Sequence, residues 1–339
     1  MQKEFKIKNK IIGNGYPCLI IAELSANHNG NFEKAKELVK QACLAGADVI
    51  KTQTYTPDTM TLNSTADFFQ VKVNDSWKGQ TLHSLYQKAY TPWEWYDDLA
   101  KIAKENGCLF IGTPYEEKSV DFLQSKDCPF YKIASFEATD VNLLKKVAKT
   151  NKPIFLSRGM TSFKELKKSV GILKKEKAKA IAILHCVSAY PTKAENLNLL
   201  TILEIKKKFP DVVPGFSDHS LSVISGSLAV ALGAKIIERH FILKRSDGGP
   251  DSAFSLEPQE FSKMVEQIRE TEKMLGKPLL ETTESEKENK QFRRSLWAVE
   301  DIKKGERFTK NNIGVFRPAV GLGPEHFEKV LTKKAKKDI

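Results

Sequence analysis

Ionisable and hydroxyl side chains recur at the ends of short apolar runs along this chain of 339 residues. Glu23 closes one such run, Lys51 and Gln53 the next, and Thr113 follows a third. Lys132, Ser135 and Glu137 surround a fourth, Ser157 ends a fifth and His185 a sixth. Ser217 and His219 follow the seventh, and Glu238 and His240 end the eighth. A single polar residue at the end of a buried strand is as readily a hydrogen-bonding core residue as a functional one. A whole series of them points to a site lined by cations, hydroxyls and carboxylates.

Two histidines stand out, His219 in Ser217-Asp-His219 and His240 in Glu238-Arg-His240. If their strands are neighbours, two neutral imidazoles with a carboxylate or water suit a divalent transition ion that keeps open positions for substrate. A pair of structural histidines is the competing reading, because no H-E-x-x-H motif is present. His28 and His185 are weaker candidates, and His83 and His326 read as surface residues. Lys51 and Lys132, with Thr113, Ser135, Ser157 and Ser217, describe a pocket of two ammonium groups ringed by hydroxyl donors. That composition suits a phosphate plus a carboxylate. A Schiff-base role for Lys132 stays open.

The elements that must position these residues follow from periodicity. Short continuous apolar runs at 18–23, 48–53, 108–112, 130–134, 153–157, 181–186, 212–216 and 235–240 read as buried parallel strands. Amphipathic patterns at 31–45, 92–106, 116–125, 141–150, 162–176, 197–209, 221–233 and 257–275 read as the intervening helices. This alternation predicts an α/β fold, a (β/α)8 barrel over residues 1–275, whose catalytic face lies at the strand C-termini. A doubly wound open sheet binding a dinucleotide would need G-x-G-x-x-G after its first strand, and Ser25-Ala-Asn-His-Asn-Gly30 is not that. The long connection 54–90 reads as a lid or binding loop. Residues 276–294 read as a linker or exposed helix. The tail 295–339 is too short for an independently firm core and should lean on a partner surface.

Composition excludes other classes. Lys and Arg outnumber Asp and Glu by 54 to 42, a formal charge of +12. The excess sits in short lysine clusters within helical patterns and is not interleaved with stacking aromatics, which argues against nucleic acid and favours an acidic metabolite. No run approaches the roughly 18 apolar residues a membrane span needs. Five widely spaced cysteines without a C-x-x-C pair argue against a disulfide framework or zinc knuckle, and a cytoplasmic location is expected.

Several of these stretches resemble the sialic acid synthase family, enzymes that condense phosphoenolpyruvate with a sugar to make nine-carbon keto sugar acids. They are Ala22-Glu-Leu-Ser-Ala-Asn-His-Asn-Gly30, Gly46-Ala-Asp-Val-Ile-Lys-Thr-Gln-Thr54, Tyr131-Lys-Ile-Ala-Ser135 and Ser188-Ala-Tyr-Pro-Thr192. Gly215-Phe-Ser-Asp-His219 and Ala231-Leu-Gly-Ala-Lys-Ile-Ile-Glu-Arg-His240 complete the set. The tail Ala298-Val-Glu-Asp-Ile-Lys-Lys-Gly-Glu-Arg307 is similar to the family's antifreeze-like (SAF, β-clip) domain. Where the neuraminic branch has Gly-Ser-Gly-Glu after the strand-four lysine, Ala134-Ser-Phe-Glu137 stands here, which resembles the pseudaminic acid branch. The family normally continues beyond Lys336-Lys-Asp-Ile339, so the last strand of the small domain is expected to be missing or replaced.

The resemblance implies that His219 and His240 hold a divalent ion, Mn²⁺ first, with Mg²⁺ or Co²⁺ as alternatives. It implies phosphoenolpyruvate binding by Lys51, Thr113, Lys132, Ser135, Ser157 and Ser217. A diacetamido hexose would meet Gln53, Phe136, Tyr190 and Asp251, with Arg317 reaching it from a second subunit of a domain-swapped homodimer. Glu23, Glu137 and His219 would carry the catalysis; either glutamate could deprotonate the reacting water, with Glu23 favoured. Legionaminic or N-acetylneuraminic acid synthesis are the alternatives within the family. A synthase acting on an aldose phosphate would need a second phosphate cradle. A non-catalytic carbohydrate-binding protein is the alternative of a different class.

Overall fold

The computed structural model describes residues 4–72 and 77–339, which form two compact units, Met1–Leu275 and Gly276–Ile339. The first opens with an antiparallel hairpin of β1 (Phe5–Ile7) and β2 (Lys10–Ile12). Eight parallel strands follow: β3 (Leu19–Glu23), β4 (Val49–Thr54), β5 (Leu109–Pro114), β6 (Tyr131–Ile133), β7 (Ile154–Ser157), β8 (Ile181–Cys186), β9 (Val213–Asp218) and β10 (Ile236–His240). Their spatial order is β5-β4-β3-β10-β9-β8-β7-β6. The two ends of this order, β5 and β6, lie against each other, so the sheet curls into a nearly closed (β/α)8 barrel.

The strands are buried on both faces, which is why they read as unbroken apolar runs; every residue of β3, β8, β9 and β10 is buried. The helices show the other periodicity. In Phe32–Leu44 the buried residues are Ala35, Leu38, Val39 and Ala42, one stripe at helical spacing, and Asn31 caps the start by accepting from the Lys34 amide. Helix Phe163–Lys175 begins with a reciprocal Ser162/Glu165 capping box and buries Leu166, Ser169, Val170 and Leu173.

Two features escape the sequence reading. The N-terminal hairpin, whose lysines mask its alternation, sits at the N-terminal end of the barrel strands. Ile7 and Ile12 are buried there, and the Phe5 ring meets Phe155 edge-on at 6.0 Å between centroids. Lys10 pairs with Asp48 at 2.6 Å, just before β4. The connection 54–90, read as a lid or binding loop, contains a helix, Leu82–Ala89, capped by Thr81 and burying Leu85 and Ala89.

The second unit pairs β11 (Ser295–Ala298) with β12 (Ile313–Phe316) antiparallel over a small core of Ile302, Ile313 and Ala335. Ile339 exchanges both backbone hydrogen bonds with Ile302 at 3.0 Å. Residues 276–294 carry a short helix, Glu284–Lys287, and are largely exposed.

Because the hairpin seals the end of the barrel opposite the strand C-termini, Ile12→Ala should cost about 2–5 kcal/mol of stability. Denaturant unfolding measures this. Ligand affinity at the far rim should be unchanged in the folded variant.

Candidate active site

At the strand C-termini the pleat turns alternate residues into the barrel, and register decides which of them meet. Glu23 lies opposite Lys51 on one side and His240 on the other. Glu238 lies opposite Ser217, and Gln53 opposite Thr113. The Lys51 ammonium forms an ion pair with Glu23, donates to Thr113 Oγ1 at 3.1 Å and lies 3.7 Å from Glu238 Oε1. Glu238 Oε1 also accepts from Lys132 Nζ and from Ser217 Oγ, each at 3.1 Å. The four charged residues are between 1% and 3% exposed. Two ammonium groups so buried need counter-charges within contact distance, and Glu23 and Glu238 provide them. The cations, hydroxyls and carboxylates expected from sequence thus interleave, two lysines alternating with two glutamates in one lattice.

The lattice sets the ionisation of its members. Burial raises the Glu238 carboxyl, but Lys132 and Lys51, with hydrogen bonds from Lys132 and Ser217, hold it down at about 2. Burial outweighs the pull of Glu238 on the Lys51 ammonium and lowers it to about 7. Glu137 behaves differently. Its partly buried carboxyl is pushed up to about 7, chiefly by desolvation, and its Oε2 has no hydrogen-bond partner among the described residues.

His219 and His240 do meet, their ring centroids 5.3 Å apart at an interplanar angle of 56°. Burial lowers His219 to about 4 and His240 well below its ordinary value, so both rings are neutral near pH 7. His219 Nδ1 lies 3.1 Å from the Val187 carbonyl, which fixes the proton on that nitrogen and leaves Nε2 a free lone pair. His240 Nδ1 is buried without a partner among the described residues. These are the properties a metal-binding imidazole pair needs. No group of three or more His, Cys, Asp and Glu gathers around a single point among the described residues.

Beside the lattice lies a hydroxyl cradle. Ser135 Oγ and Ser188 Oγ are 2.8 Å apart, and Ser157 Oγ is buried with no partner among the described residues. Gly159 has φ +45°, and a Cβ there would stand 2.2 Å from Ser135 Cβ, so the backbone passes where only glycine fits. The cavity of about 320 Å³ above lattice and cradle falls in the size range of small-molecule sites. Its far wall is aromatic: Tyr190 packs on Trp77, Phe254 and His219, and the exposed Phe136 ring stacks on Tyr190 at 6.5 Å. The helix of the long connection adds Leu85 and Tyr86.

Glu23, Lys51, Gln53, Lys132, Ser135, Phe136, Glu137, Ser157, Tyr190, Ser217, His219, His240 and Asp251 thus line one cavity. Thr113 stands behind it, bonded to Lys51. Asp251 accepts from Ser25 Oγ and from the Ala26 amide at 3.2 Å. Arg317 belongs to the second unit, directly after β12, and is exposed. His28 and His185 are elsewhere: His28 Nε2 meets Thr91 Oγ1 at 3.1 Å, and His185 Nε2 donates to the Leu197 carbonyl at 2.7 Å. His83, expected at the surface, is half-buried against Asp58. Sequence reasoning missed the central role of Glu238, although its spacing of two from His240 puts both on one strand face. It also missed Ser188, Trp77, Leu85 and Tyr86.

A model of the NeuB family matches residues 38–279, most of the barrel. The chain belongs to the NeuB family. A SAF domain model matches residues 293–339, the second unit's sheet and tail. Among relatives, the pseudaminic acid synthase of Campylobacter jejuni is 45% identical over 320 residues, 94% of this chain and 93% of that protein. The pseudaminic acid synthase of Helicobacter pylori is 42% identical over 323 residues, 95% of this chain and 94% of that protein. The crystal structure of the N-acetylneuraminic acid synthetase of Leptospira borgpetersenii, in complex with citrate, matches with TM-score 0.77 at 31% identity. That match covers 85% of this chain and 95% of the other.

In this NeuB family member the raised Glu137 carboxyl has a measurable consequence. Between about pH 4.5 and 7 the folded group keeps a proton that the unfolded one has lost, so its contribution to stability declines as pH rises through that window. Glu137→Gln removes the decline. The variant's unfolding free energy minus that of the unaltered chain should rise by of order 1–3 kcal/mol from about pH 5 to 8. A difference independent of pH would show that the carboxyl is not held protonated.

Proposed function

We propose that the chain is a pseudaminic acid synthase, condensing phosphoenolpyruvate with 2,4-diacetamido-2,4,6-trideoxy-L-altrose and water to give pseudaminic acid and phosphate. The observation that carries the reading is the juxtaposition in one cavity of two neutral imidazoles, a lysine pair with a hydroxyl cradle, and an aromatic wall. Lysines and hydroxyls suit a small phosphorylated carboxylate. The aromatic rings suit a 6-deoxy sugar with two acetamido groups, whose methyls offer apolar surface that a fully hydroxylated hexose lacks. The relatives at 42% and 45% identity that bear this activity's name support the branch.

In this reading Lys51, Lys132, Ser135, Ser157 and Ser217 bind phosphoenolpyruvate, with Thr113 positioning Lys51. Gln53 and Asp251 meet the sugar's polar groups, and Phe136 and Tyr190 its apolar edges. A divalent ion held by His219 and His240, Mn²⁺ first and Mg²⁺ or Co²⁺ next, would supply Lewis acidity toward the aldehyde oxygen. Carbon three of the enol forms the new bond to the aldehyde carbon, water adds at carbon two, and the carbon–oxygen bond to phosphate breaks to leave the keto group, the two water protons ending on the new hydroxyl and on phosphate. We assign the proton of that water to Glu137. Its carboxyl exchanges a proton near neutral pH, whereas Glu23 is committed to Lys51 and accepts from the Ser25 amide at 2.7 Å.

A domain-swapped homodimer would bring Arg317 to the acetamido group of sugar bound in a second copy. The small core of the second unit, with three fully buried apolar side chains among the described residues, supports its leaning on another surface. The five free cysteines support a cytoplasmic location. Among the described residues no helix is long and apolar enough to cross a membrane.

The test offers phosphoenolpyruvate with the L-altrose sugar, its legionaminic counterpart or N-acetylmannosamine, and follows phosphate release and product mass. The expected result is at least tenfold higher kcat/KM for the first, about 1.4 kcal/mol of discrimination, with turnover abolished by chelation and restored by Mn²⁺. Preference for N-acetylmannosamine would contradict the assignment.

A further inference from the structure

We infer that Arg239 and Asp218, neither of which lines the cavity, are positioning residues that together fix the His219 and His240 rings and so set their affinity for a divalent ion. The inference rests on the metal reading proposed above. Strand alternation sends Ser217 and Glu238 into the barrel, with the two histidines beyond them on the cavity side. Asp218 and Arg239, one residue out of phase, face the other way. Register places these two directly opposite each other across β9 and β10. Their side chains are fully buried and form an ion pair outside the barrel wall.

The hydrogen bonds around that pair converge on the His219 loop. Arg239 donates through Nη2 to the Ser220 carbonyl at 2.6 Å, and through Nη1 to the hydroxyls of Ser220 and Ser225, each at 3.4 Å. Asp218 Oδ1 accepts from the Ser220 amide at 2.8 Å, and Ser225 Oγ donates to Oδ2. The residue before His219 and the residue after it are thus both tied to the residue before His240. The Thr192 amide holds the His219 carbonyl from the other side at 2.9 Å. A buried ion pair is an expensive way to fill a seam that two apolar side chains would close without desolvating any charge. A planar guanidinium with several fixed donors does what apolar groups cannot: it sets the distance between the two backbone segments that carry the rings.

The experiment uses the full chain, freed of metal by chelation and titrated with Mn²⁺ in a calorimeter, with thermal unfolding recorded for every variant. Removing one partner strands a buried charge, so the informative variant is the double D218L/R239M, which replaces the pair by apolar groups of similar size. Arg239→Lys, which keeps the charge but loses the fork, is the second variant. Either one, folded, should bind Mn²⁺ about 10–100-fold more weakly, as supporting groups behind metal ligands generally do. Turnover should recover as Mn²⁺ is raised to saturation, because neither residue touches the reactants. A folded variant with unchanged Mn²⁺ affinity overturns the inference and leaves the metal reading standing. Failure of the unaltered chain to bind Mn²⁺, or binding undiminished in His219→Ala and His240→Ala, overturns the metal reading and the inference with it.

Discussion

One carboxylate organises the mouth of this barrel. Glu238 Oε1 is shared by Lys132, Ser217 and, at longer range, Lys51, while Lys51 is held from its other side by Glu23. None of these groups would be stable as a charge alone at its depth, so each is placed by the others in one lattice of two lysines and two carboxylates. Glu137, outside the lattice, is the carboxyl whose ionisation is set by burial.

Much of the architecture could be read from sequence because parallel barrel strands are apolar on both faces and end abruptly in polar residues. Lys51 with Gln53, Ser217 with His219, and Glu238 with His240 each show the spacing of two that puts a pair on one face. The order of strands, and hence which pairs meet, is not local information. Lys132 and Glu238 stand 106 residues apart, and their bond exists because β6 and β10 face each other across a closed barrel. For the same reason the sequence does not show that Glu23 and Glu238 stand between the two lysines.

Other departures have local causes. In the hairpin Phe5–Ile7 and Lys10–Ile12, lysines on the exposed face outweigh a short apolar alternation, and the turn between them needs Lys8 at φ +51°. Helix Leu82–Ala89 has its apolar residues at the right spacing but lies in a connection dominated by Thr, Asn and Asp. Trp77 and Tyr86 are therefore invisible as wall residues until the connection is folded over the rim. Trp77 reaches it by donating from its indole to the Pro250 carbonyl at 2.7 Å.

The most direct measurement of the central claim is a crystal structure of the chain soaked with phosphoenolpyruvate and Mn²⁺. The account predicts the ligand's anionic groups between Lys51, Lys132 and the Ser135–Ser157 cradle, both imidazoles on the ion, and Glu238 still bonded to Lys132. Ligand density away from the lysine pair, or His219 and His240 turned from a shared ion, would contradict it.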